Sequence, residues 1–185
     1  MAAVAGRAIG LALLLWVTFR VLGQGLALGS SGVVAFLHGV NLIFHEAGHL
    51  IFGFFGQFIA VAGGSLNQVL IPSTCVVAFL RTRQPASAAV AVFWTGQSLA
   101  DVAVYAADGR ATALPLLADG LIHDWNYLLG RTGLLQHAEA IGRLMFGAGA
   151  LLMLGALAFL ALDLLRAWGA AVVPPVDSDG SPRVE

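Results

Sequence analysis

The run Phe44-His45-Glu46-Ala47-Gly48-His49-Leu50 sets two histidines four residues apart with a glutamate beside the first. Side chains at i and i+4 share one helical face, so both imidazoles can reach a single cation. Zinc takes nitrogen from histidine and oxygen from carboxylate, and a catalytic zinc keeps one position open for water. Bound zinc lowers the pKa of such a water to about 7, and Glu46 stands where it can take the proton. The pattern reads as a metalloprotease-type zinc site, with His45 and His49 as ligands and Glu46 as general base. Its setting sharpens the reading. Three ionisable residues within five positions of an apolar run each cost a few kcal/mol at membrane depth. Polar groups packed between helices are the plainer explanation, but a metal or a wet cavity offsets that cost better.

Such a site needs at least a third protein ligand. The first choice is Asp101, in a stretch where Gln97, Asp101 and Tyr105 recur every four residues and form one polar helical stripe facing a bundle interior. Its rivals are Asp124 and His123, in the loop motif His123-Asp124-Trp125, if that loop folds back over the site. Asp101 also reads as a helix–helix hydrogen-bond partner, and the His-Asp pair as an interfacial turn. His38 lies seven residues before His45 on nearly the same face; a packed histidine is the plainer reading. In Gly63-Gly64-Ser65-Leu66-Asn67-Gln68, Gly64 would let backbone approach a ligand closely. Asn67 and Gln68 would offer amide donors to an extended peptide or an oxyanion. The bland alternative is an ordinary turn.

These residues need long apolar elements to position them. The chain of 185 residues is 59% hydrophobic and 10% charged, with a mean hydropathy of +0.88; a soluble domain carries roughly 25% charged residues. Five apolar segments stand out, at about 8–28, 33–58, 66–80, 86–106 and 144–165. Four approach the ~20 residues a helix needs to cross ~30 Å of hydrocarbon. The third is shorter and interrupted by Pro72, which predicts a tilted or re-entrant piece. Residues 107–143, with Pro115, Trp125 and Tyr127, form the one sizeable polar region, suited to a loop or the membrane interface. The expected fold is all-α, a multi-pass transmembrane helical bundle in a single domain, 1–170. A disordered tail at 171–185 is expected to follow.

Composition excludes several functions. A net charge of −1 without a basic patch offers no footprint for nucleic acid. The single Cys75 permits neither an intramolecular disulfide nor a thiolate zinc site. Arg7 and the apolar stretch after it resemble a signal peptide, but Arg20 interrupts the run and no small-x-small cleavage site follows; a retained first span is expected. All nine basic residues are arginine, a bias that points to a GC-rich bacterium and hence to its inner membrane. Four arginines would fall on one side of the membrane and five on the other, too even to fix orientation. Gly147-Ala148-Gly149-Ala150 suits close packing within the bundle or between subunits, so oligomeric state is open.

Taken together, His-Glu-Ala-Gly-His in a membrane helix, a Gly-rich polar stretch and a later intramembrane aspartate resemble the site-two protease class of intramembrane zinc metalloproteases. Over about 36–135 the chain is more closely similar to an uncharacterised bacterial set of related membrane proteins with counterparts of Gly63 to Gln68, Asp101 to Tyr105 and His123-Asp124-Trp125. The resemblance implies zinc-dependent hydrolysis of transmembrane or membrane-proximal peptide substrates, with membrane lipid as the other partner. One departure is plain. The class takes its third ligand from an Asp-Gly pair, whereas Asp101 precedes Val102 and Asp124 precedes Trp125; Asp108-Gly109 occurs without the surrounding pattern. The alternatives are a non-proteolytic zinc-binding membrane protein or transporter, and a purely structural membrane protein.

Overall fold

The computed structural model describes residues 2–118 and 120–172. Among them the chain is all helical: α1 (Ala2–Gln24), α2 (Val33–Phe52), α3 (Gln57–Arg81), α4 (Pro85–Asp108), the short α5 (Asp124–Arg131) and α6 (Ala138–Val172). Single 3₁₀ turns at Gly53–Phe55 and Leu135–His137 lead into α3 and α6. Four helices are long and apolar enough to cross a membrane: α1, α3, α4 and α6 with its leading turn. The fifth long helix, α2, carries the His-Glu cluster and falls outside that set. Large apolar side chains cover the outside, among them Phe19, Leu50, Phe54 and Leu144, as a lipid-facing surface requires.

Two boundaries differ from the sequence expectation. The second apolar segment is divided at Gly56, whose φ of 87° lies where only glycine sits without strain; α2 therefore ends at Phe52 and Gln57 opens α3. The third segment is not a short piece. α3 runs unbroken for 25 residues with Pro72 inside it. Proline in a buried membrane helix is tolerated because neighbouring helices and hydroxyls satisfy the freed backbone groups, and Pro72 is fully buried. Gly63 to Gln68 is consequently helical rather than a connection. In the expected tail, Ala171 and Val172 continue α6; positions 173–185 lie outside the described residues.

Two antiparallel seams organise the bundle. Between α4 and α6, Gly96 lies against Gly149, and Gly142 against Ala103 and Ala107. The surrounding core holds Phe93, Ala100, Met153, Ala156 and Leu157 with Val21 of α1 and Val34 of α2. Between α2 and α3, Gly48 meets Gly63 backbone to backbone, and Gly64 lies under His45 and His49. The buried face of α2 is Val34, Asn41, His45 and Gly48, a spacing of seven, four and three that follows the helical repeat.

Candidate metal centre

Both motif histidines project from the last two turns of α2 onto α3. His49 Nδ1 donates to the carbonyl oxygen of Ala60 at 2.9 Å, and His45 Nδ1 donates to Gln68 Oε1 at 3.1 Å. Those bonds commit the δ nitrogens as donors. In the neutral rings the ε nitrogens therefore carry lone pairs, and both point the same way. His45 Nε2 lies 2.9 Å and His49 Nε2 3.2 Å from Asp124 Oδ2.

The chain beyond α4 brings Asp124 there. Asp108, at the end of α4, has a fully buried side chain and accepts from the backbone N–H groups of Ala113 and Leu114 at 3.0 and 2.9 Å. It also receives His123 Nε2 at 3.2 Å. The other ring nitrogen of His123 accepts from Asn126 N–H, capping α5. Asn126 Nδ2 donates back to Gly109 O at 2.8 Å, and Trp125 Nε1 donates to Ser65 Oγ of α3 at 3.1 Å. Asp124 is thus the first residue of α5, its backbone N–H donating to Tyr105 Oη at 3.0 Å. Burial acts to raise its carboxyl pKa; when the two imidazoles are protonated at Nε2 as well, their hydrogen bonds to Asp124 outweigh burial and hold the group below the ordinary carboxylate value.

His45 Nε2, His49 Nε2 and Asp124 Oδ2 form a buried to half-buried set of donor atoms within 4.8 Å of one another, which could hold a metal ion. The chemistry fits zinc. Ligand atoms about 2.0–2.1 Å from a tetrahedral zinc lie roughly 3.3 Å apart, close to the spacings found. Each imidazole also has its outer N–H bonded to an oxygen, the usual arrangement around histidine ligands.

Asp101 is not in the set. Its carboxylate accepts from Gln68 Nε2 at 2.7 Å and from His38 Nδ1 at 3.0 Å; the α4 stripe meets α2 and α3 along its length and reaches Asp124 only at Tyr105. His123 is turned away to Asp108. Gly64, Asn67 and Gln68 are all buried residues of α3. A Cβ on Gly64 would lie 2.5 Å from His45 Nε2, Asn67 Nδ2 bonds the Phe44 carbonyl at 2.7 Å, and only Gln68 of the three borders the cavity.

The donor set opens on a cavity of about 980 Å³. Glu46, exposed and one residue beyond His45, lines it together with His38, Asp101, Tyr105 and Asp124. Leu28, Leu42, Leu114 and Ile122 form an apolar wall. The sequence assigned no role at the site to Asp108, Ser65 or the Ala60 carbonyl. Asp108-Gly109 was the visible signal for the first, as a loop anchor rather than a ligand; nothing local marks the other two. No protein family, curated protein or solved structure matches the chain.

Proposed function

We propose that the protein is a multi-pass zinc metalloprotease of a bacterial cell membrane, hydrolysing peptide bonds of membrane or membrane-proximal substrates in the manner of the site-two class. The observation that carries this reading is the convergence of His45, His49 and Asp124 on one wall of a large cavity that Glu46 also lines. His45, His49 and Asp124 would hold the ion. Zinc bound there would polarise a substrate carbonyl and acidify a water. Glu46, an exposed carboxylate lining the same space, would take the proton of such a water and return it to the leaving amine. The leucine-rich wall supplies an apolar surface for an unwound stretch of substrate.

The test uses purified protein in micelles with a single-span peptide substrate. Glu46→Gln should retain zinc and lose cleavage. Cleavage surviving in Glu46→Gln removes the proposed base. Zinc flux into liposomes that depends on His45, without cleavage, would replace the reading with a transporter.

A further inference from the structure

Asp101 lies outside the group of converging donors, yet it is held by two bonds at the cavity edge. The reason lies in Gln68. That side chain is buried, and its amide can face His45 in two ways. With Oε1 towards the ring it accepts from Nδ1–H; with Nε2 towards the ring it sets a donor against a donor. Only the first leaves the His45 ε nitrogen free to bind a cation while its outer N–H is satisfied.

The choice between the two is made on the far side of the amide. A carboxylate accepts and cannot donate, so Asp101 Oδ2, 2.7 Å away, takes only the Nε2 end. The Ser98 carbonyl adds a weaker acceptor at 3.4 Å on the same side. Asp101 is itself fixed by His38, whose Nδ1 lies 3.0 and 3.2 Å from its two oxygens. His49 has no such device and needs none, because the Ala60 backbone carbonyl cannot be turned round.

We propose that Asp101 is a positioning residue for the metal centre, acting on His45 through the Gln68 amide. This rests on the zinc reading above. The chain His38–Asp101–Gln68–His45 spans three helices and makes the orientation of one ligand depend on a residue that does not touch the ion.

The two histidines supply an internal control. Full-length protein in micelles is loaded with zinc, and the imidazole Nδ1 protons of His45 and His49 are followed by ¹⁵N-edited NMR beside a zinc-competition assay. Asp101→Asn is nearly isosteric but presents a donor as well as an acceptor, so the Gln68 amide is released to turn. The His45 resonance should shift or broaden, the His49 resonance should stay, and zinc affinity should fall by roughly 3–10-fold, below the ~10–100-fold typical of direct partners of a ligand. Gln68→Met removes the acceptor outright and should give the same His45-selective change with a loss of about 10–100-fold. Unchanged affinity and an unchanged His45 signal in Asp101→Asn would overturn the proposal, whatever Gln68→Met does. So would equal movement of both histidines, which would mark a general disturbance of the bundle. Failure of wild-type protein to bind zinc at all would instead remove the metal reading, and it would be seen before any variant is made.

Discussion

The α2–α3 seam and the α4–α6 seam are built from the same device and serve different ends. At each, glycines let two helices approach until backbone touches backbone, as small residues allow wherever helices associate in lipid. The α4–α6 seam fills the space with Ala100, Ala103, Met153 and Ala156. The α2–α3 seam fills it with His45, Asn67 and Gln68, and every buried polar side-chain atom among the described residues has a partner. Close approach is therefore not what marks a site. The mark is polar groups held in fixed orientations by that approach, facing a space they do not fill.

The comparison breaks first at the ligands. His49→Ala and Asp124→Ala each remove one of three donors, and each should lower zinc affinity by more than the ~100-fold upper range of second-layer changes. Equilibrium dialysis or a chromophoric competitor measures it. Asp124→Ala binding zinc as wild type does, with Asp101→Ala failing, would reverse the assignment of the carboxylate. Next in size is Glu46→Gln, which should keep zinc stoichiometry while peptide cleavage falls by about 10²–10⁴-fold, the range for a positioned general base.

How far the sequence reached follows from the range of each determinant. His45 and His49 were legible as a pair because a four-residue spacing fixes their common face through helical geometry alone. The polar stripe of Gln97, Asp101 and Tyr105 was legible for the same reason, and each does meet a polar partner. The third donor was not. Asp101 and Asp124 are both reasonable by type. The choice rests on Asp108 gathering the loop and turning His123, contacts that bring Asp124 back to a histidine 79 positions earlier in the chain. Three of the four apolar helices, α1, α4 and α6, could be read from hydropathy, whereas the second segment, expected to span, yields α2 outside that set. The full length of α3 could not, because Gly63-Gly64 and Pro72 carry the local signature of a break. Burial against α2 and α4 overrides it.

Alanine at one glycine in each seam sharpens the contrast. A Cβ on Gly64 would meet His45 Nε2 at 2.5 Å and His49 Cε1 at 2.7 Å. Those are ring atoms of the candidate ligands, so the rings must move, and zinc affinity should drop by about tenfold or more. A Cβ on Gly149 would meet Gly96 O at 2.5 Å and Ala100 N at 2.9 Å. Those are backbone atoms, so the helices must part. Gly149→Ala should cost about 1–3 kcal/mol of stability, the usual range for overpacking, and leave zinc affinity unchanged. Thermal unfolding in detergent, read beside zinc titration, separates the two outcomes. Equal zinc loss in both would mean that the seams are mechanically one.

The smallest effect tests whether a buried polar cluster must belong to the site. Asn41 is almost fully buried on α2; its Nδ2 donates to Gln97 Oε1 at 2.9 Å, and its Oδ1 accepts from both Ser98 Oγ and Trp94 Nε1 at 3.3 Å. The cluster joins α2 to α4 and contains no group that can bind zinc alongside His45. In Ser98→Ala the oxygen of Asn41 keeps the tryptophan N–H, so no buried acceptor is orphaned. The loss should stay near the ~0.5–1.5 kcal/mol of a single neutral hydrogen bond, with zinc affinity and cleavage both intact. A large fall in zinc affinity would show that the α2–α4 contact sets the pitch of the metal-binding helix. The division between a structural polar cluster and a chemical one would then fail.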